Sequence, residues 1–109
     1  MHELGIAQEV VRIVEEQAAG ARVTSVVLEI GRLAAVLPDA VRFCFDLCVE
    51  GTVLEGARLV IVETPGLARC RDCGAEVPLE RPFGRCGCGG SNLEWLAGEE
   101  LNIKNFEVA

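Results

Sequence analysis

Residues 69–92 read Arg69-Cys70-Arg71-Asp72-Cys73-Gly74-Ala75-Glu76-Val77-Pro78-Leu79-Glu80-Arg81-Pro82-Phe83-Gly84-Arg85-Cys86-Gly87-Cys88-Gly89-Gly90-Ser91-Asn92. This stretch holds four of the six Cys, five of the twelve Gly and two of the four Pro, with few large apolar side chains. Such a segment lacks the material for its own core, so something else must hold it. Two close Cys pairs, Cys70/Cys73 and Cys86/Cys88, stand either side of a twelve-residue loop and match a tetrahedral thiolate site. The first pair, C-x2-C-G, is a strong zinc-knuckle signal. Its Gly allows the tight turn in which backbone N–H groups point at thiolate sulfur. Zinc fits best, being redox-silent and accepting four thiolates with no open position. The second pair is C-x-C, a tighter chelate that Gly87 can permit. A redox disulfide, an iron site and buried structural thiols are the competing readings.

Outward from this insert, the flanks read as one α/β domain. Leu4, Ala7, Val11, Val14 and Ala18 recur at spacings of three and four, widened by Ile6, Val10 and Ile13, and predict a helix over 1–20 closed by Gly20. Residues 22–30 are β-branched and alternate, with Val26, Leu28 and Ile30 on one face of a strand. A loop over 32–37 follows, its apolar run Leu33–Leu37 expected to pack. Pro38 suits the first turn of a second helix, with Asp39 near the positive dipole end and Gly51 as its stop. Val41, Cys44, Phe45 and Cys48 form its apolar stripe, so Cys44 and Cys48 read as core thiols although one helical turn could bring them to a metal. Residues 57–63 predict a second strand and 99–108 a last one. Leu101 and Ile103 lie on one parity and Phe106 and Val108 on the other, which predicts a bulge or an end-of-strand shift.

The expected fold is therefore α+β: a small mixed three-stranded sheet with two helices, plus an inserted zinc-knuckle module. The expected domains are 1–68 with 93–109, and the insert 69–92. The strand–helix–strand unit should be a parallel crossover, with the last strand returning antiparallel beside the second.

The chain has 109 residues, enough for one domain. Acids outnumber bases 17 to 10, a net charge of −7, which disfavours nucleic-acid binding as the main task. No basic n-region leads into an apolar stretch, and no apolar run approaches the ~18 residues of a membrane span. A cytosolic, reducing compartment is expected, where six Cys imply metal or thiol chemistry before disulfides.

His2 is the only His. A terminal α-amine at Met1, the amide nitrogen and imidazole of His2, and the Glu3 amide or carboxylate can close fused chelate rings on one metal. Such nitrogen-rich tetragonal sites favour Ni(II) or Cu(II). No other His exists to serve as base in a Ser or Cys triad, and no P-loop is present, so no enzyme activity is expected.

The opening Met1-His2-Glu3-Leu4, together with the paired Cys before a final strand, resembles the HypA/HybF family. These are nickel metallochaperones of NiFe-hydrogenase maturation. Leu28-Glu29-Ile30-Gly31-Arg32-Leu33, Pro38-Asp39-Ala40 with Phe43-Cys44-Phe45-Asp46, Glu50-Gly51-Thr52 and Gly98-Glu99-Glu100-Leu101 extend the likeness over essentially the whole chain. The resemblance implies nickel bound through His2 with Glu3 and Met1, and structural zinc on Cys70, Cys73, Cys86 and Cys88. In the family's C-x2-C-G register the third ligand would fall at Arg85, so Cys86 takes its place. Asp39 is the nearest match to a carboxylate associated with the nickel site. The resemblance further implies delivery to a hydrogenase large-subunit precursor with a maturation GTPase of the HypB type, by a monomer or weak homodimer. The rivals are a zinc-ribbon adaptor with an inert terminus and a thiol oxidoreductase on Cys70 and Cys73. The second lacks the helix that a redox C-x-x-C normally opens.

Overall fold

A computed structural model describes residues 3–109; Met1 and His2 lie outside the described residues. The order is α1 (Glu3–Ala18), β1 (Val23–Gly31), α2 (Pro38–Cys48), β2 (Arg58–Thr64), β3 (Gly66–Cys70), β4 (Glu76–Leu79), β5 (Leu93–Ala97) and β6 (Leu101–Val108). Two three-stranded sheets result, ordered β2-β1-β6 and β4-β3-β5. The chain divides into two compact units: the first runs to Leu28 and adds Val36–Val62 and Asn102–Ala109, the second comprises Glu29–Ala35 and Glu63–Leu101.

In the first unit α1 buries Ile6, Ala7, Val10, Val11, Val14 and Ala18, as its periodicity requires. Leu4, in the first turn, is exposed. Packed against α1, α2 buries Val41 and Phe45, while Cys44 and Cys48 are half-buried. Proline starts the helix at Pro38, and Val41 N–H donates to the Leu37 carbonyl at 3.1 Å. From its other face Arg42 donates to the Leu59 carbonyl at 2.6 Å, which holds α2 to β2. Val26 and Leu28 are buried in β1 as expected, and Leu54 and Leu59 close the core. Of the apolar run after β1, Leu33 and Val36 are buried but Leu37 is exposed.

The mixed sheet forms with one change of neighbour. Arg32 N–H donates to the Thr64 carbonyl where β1 and β2 end together, so these strands run parallel. β6 lies beside β1 and not beside β2. Gly31 N–H donates to the Glu100 carbonyl and Ala109 N–H to the Arg22 carbonyl, which makes β1 and β6 antiparallel in one register. The middle strand is the most apolar of the three, and only the middle position gives it a partner on both edges. The parity change in β6 needs no inserted residue: Leu101 and Ile103, then Phe106, are each half-buried.

In the second unit the Cys-rich segment packs on side chains from its flanks. β3 pairs antiparallel with β4 and with β5, and Leu33, Ala68 and Leu79 are buried together with Val77 and Leu93 against them. Three of these five residues, Leu33, Ala68 and Leu93, come from outside 69–92, so the flanks supply what the Cys-rich segment lacks. Its wall is completed by Arg32 donating to Glu80 at 2.5 Å.

Candidate metal centre

Each half of the centre is a short backbone turn. Cys70 ends β3, and its N–H donates to the Ala75 carbonyl at 2.8 Å while Gly74 N–H donates to the Cys70 carbonyl at 2.7 Å. The second turn repeats this pattern. Cys86 N–H donates to the Gly90 carbonyl and Gly89 N–H to the Cys86 carbonyl, both at 2.9 Å. Gly74 and Gly89 sit at φ of +79° and +91°, a backbone region that side chains with a Cβ avoid. The one-residue spacer of the second pair therefore does not prevent a knuckle.

These turns bring all four sulfurs within 4.8 Å of one another. Cys70 Sγ lies 3.7 Å from Cys88 Sγ, and Cys73 Sγ lies 3.5 Å from Cys86 Sγ. A regular tetrahedron of Zn–S bonds of about 2.3 Å has an S···S edge of about 3.8 Å, so the cluster has the size of a zinc site. Each of these two contacts runs across the two knuckles. Both halves must fold to assemble the donor set. Cys70 and Cys86 are buried, while Cys73 and Cys88 face outward.

Electrostatics point the same way. Gly90 N–H, 3.4 Å from Cys88 Sγ, favours the thiolate, but Cys86, Cys70 and Cys73 outweigh it and push the Cys88 thiol up to about 12. Cys73 is also raised: the Ala75 N–H lowers it, but the neighbouring Cys86 thiol prevails. Cys86 moves down, through the Cys88 backbone N–H first and the Cys73 thiol second. Four clustered sulfurs cannot ionise together without a compensating cation, and a divalent metal supplies that charge. The fit to a four-thiolate metal is thus one of size, donor type and charge. It disfavours the oxidoreductase reading, which needs only the first pair, whereas all four sulfurs converge here.

Of the other expected ligands, Met1 and His2 lie outside the described residues, and Glu3 and Asp39 stand in the first unit. Glu3 opens α1, and its carboxylate accepts the Leu37 N–H at 3.2 Å. Leu37 is the N-cap residue of α2 and has no side-chain cap of its own. Glu3 thus serves the exposed helix end that a Ser or Asp cap would usually serve. Asp39 lies in the first turn of that same helix. The start of α1 and the start of α2 are therefore neighbours, which no local pattern signalled. Cys44 and Cys48 join no group of three metal-ligating side chains among the described residues. Burial, and then the neighbouring Cys44, raise the Cys48 thiol.

A family model described as hydrogenase/urease nickel incorporation, metallochaperone, hypA matches residues 1–108. The hydrogenase maturation factor HypA of Trichormus variabilis is 62% identical over 108 residues, covering 99% of this chain and 96% of the relative. That of Geotalea uraniireducens is 50% identical over 109 residues, covering 99% of each. Among solved structures, the solution structure of the Ni metallochaperone HypA from Helicobacter pylori is similar with a TM-score of 0.67 at 25% identity, covering 99% of this chain and 97% of that one.

Proposed function

Because the chain belongs to the HypA family of hydrogenase and urease nickel-incorporation metallochaperones, we propose that it carries Ni(II) at its amino terminus and passes it to a NiFe-hydrogenase large-subunit precursor. Its role lies in hydrogenase maturation, and it is a metallochaperone and not an enzyme. The observation that carries the nickel reading is His2, the only imidazole in a chain that matches this family from end to end. The ligands are the His2 imidazole and the nitrogens of Met1, His2 and Glu3, a tetragonal nitrogen set that selects Ni(II) over Zn(II). The Glu3 side chain contributes by holding the start of α1 at the start of α2. Asp39 in that helix turn is the nearest candidate for a carboxylate ligand.

Cys70, Cys73, Cys86 and Cys88 hold zinc as a structural ion. Division of labour follows from chemistry. A closed cage of four thiolates retains its ion, whereas terminal nitrogen ligation leaves the cargo exchangeable. Docking on the precursor and on a maturation GTPase of the HypB type would take place in the cytoplasm; no described helix is long and apolar enough to cross a membrane.

Native mass spectrometry of the untagged protein, titrated with Ni(II), tests this. One retained zinc and one added nickel are expected, with only the nickel lost in His2→Ala. Undiminished nickel binding in that variant would remove the terminal site, and a zinc-ribbon adaptor would then be the better reading.

A further inference from the structure

The second helix, α2, carries two apolar faces. Val41 and Phe45 fill the core of the first unit. From the N-cap onward, Leu37, Ala40, Cys44 and Leu47 follow at spacings of three, four and three, with Phe43 one turn before Leu47. These positions form a second stripe on another side of the helix. This stripe is open: Leu37 and Phe43 are each 66% exposed and Leu47 is 55% exposed. Acidic side chains border it. Asp46 stands three residues on from Phe43, and Glu50, just past the helix end, stands three on from Leu47, so both lie along the margin that Phe43 occupies. The only basic residue of α2, Arg42, donates to the Leu59 carbonyl. Elsewhere in the unit, Arg12 is held by Glu9 and Glu16, and Arg22 by the Glu55 carbonyl. Asp46 and Glu50 have no basic partner among the described residues.

We propose that the outer face of α2 docks a cationic amphipathic helix of a partner protein. The partner's apolar side chains pack along Leu37, Cys44 and Leu47 and over Phe43, and its Lys or Arg residues meet Asp46 and Glu50. Spacing selects a helix: a three-four repeat is the seam that a second helix fills, whereas the side chains of a strand repeat every two residues. Charge selects its sign. The margin of the stripe presents carboxylates with no base to balance them, so a partner whose apolar stripe is edged by Lys or Arg is the complementary one. A second copy of this chain is the poorer occupant, because the same face brings only further carboxylates to Asp46 and Glu50. Asp39 continues the acidic row, but the docking does not rest on it. The surface goes beyond the carrier reading, since Phe43, Asp46, Leu47 and Glu50 belong to neither metal site.

The probe is a fluorophore-labelled three-heptad peptide with Leu at its a and d positions and Lys at the flanking e and g positions. Held at nanomolar concentration, it would be titrated with the zinc-loaded full chain and read by anisotropy. Two further peptides serve beside it, one with Glu for Lys and one of the same composition scrambled to break the three-four repeat. Saturable binding is expected with the Lys peptide alone, weakening with salt. Phe43→Ala, and Asp46→Lys combined with Glu50→Lys, should each weaken it roughly tenfold, with zinc content and Ni(II) binding unchanged. Those two unchanged readouts separate a failure of this surface from a failure of the nickel reading. No saturable binding of the Lys peptide would overturn the proposal. So would equal binding of the Glu or the scrambled peptide, full affinity in either variant, or a dimer in sedimentation equilibrium that Phe43→Ala dissolves.

Discussion

A methyl group added at Gly90 would meet Asp72 Oδ2 at 2.5 Å and Cys88 Sγ at 3.3 Å, whereas one added at Gly87 would meet nothing within 4 Å. Gly87 and Gly90 of the second knuckle are therefore not equivalent. Gly90→Ala is expected to displace the Cys88 sulfur and lower zinc affinity about 10–100-fold, as loss of a supporting contact to a ligand does. Gly87→Ala should retain it, and competition with a chromogenic chelator distinguishes them. Glu100 offers a pH-dependent case. Its own backbone N–H, then the Thr64 hydroxyl at 3.0 Å and the Gly98 N–H at 2.7 Å, hold its carboxyl below the usual range against burial. A lowered folded-state pKa contributes stability that is complete above the ordinary carboxylate range and lost as pH falls through the lowered value. The Tm of Glu100→Gln should thus lie below that of the parent at neutral pH, with the gap closing under acid. At this scale the four Cys were legible because ligand chemistry fixes their spacing. Glu3 as a cap for Leu37 was not, because its two residues lie far apart in sequence and neither fits a local capping pattern.

Along α2, two phenylalanines two residues apart have opposite surroundings. Phe45 is fully buried and Phe43 is 66% exposed. Phe45→Ala should cost about 3–5 kcal/mol through lost burial and a cavity, and Phe43→Ala less than about 0.5 kcal/mol; urea denaturation separates them. In β1, a Cβ at Gly31 would fall on the Gly98 carbonyl, and 2.7 Å from the Glu100 N. Gly31→Ala is expected to cost roughly 1–3 kcal/mol by forcing the backbone apart. Both helices and the three long strands were readable, since each carries its own periodicity. The short strands β3, β4 and β5 were not. They run four or five residues, include Pro78 and several charged residues, and acquire order from pairing with one another and from Leu33 outside them. The neighbour of β6 was likewise a matter of tertiary pairing, which sequence alternation does not encode.

For the whole molecule, the division into two compact units predicts that metal removal is felt unevenly. Chelation of the zinc should raise amide hydrogen exchange across residues 70–92 and leave α1 and α2 protected, because the core of the first unit contains no Cys ligand. Equal loosening of both would refute that independence. The antiparallel pairing of β1 with β6 has a kinetic consequence. Everything from Arg32 to Glu100 lies between those strands, so their zipper has to close a very long loop. Loop closure is slower and entropically dearer for an open chain than for one already pinched partway along. The Thr64–Glu100 hydrogen bond belongs to the unit that the Cys cluster staples, and it brings the start of β6 back to the end of β2. A chain that binds its zinc early thus has its last strand delivered to the central one. Refolding from denaturant should then be faster with zinc present than in chelator, even when the probe is the helical signal of α1 and α2.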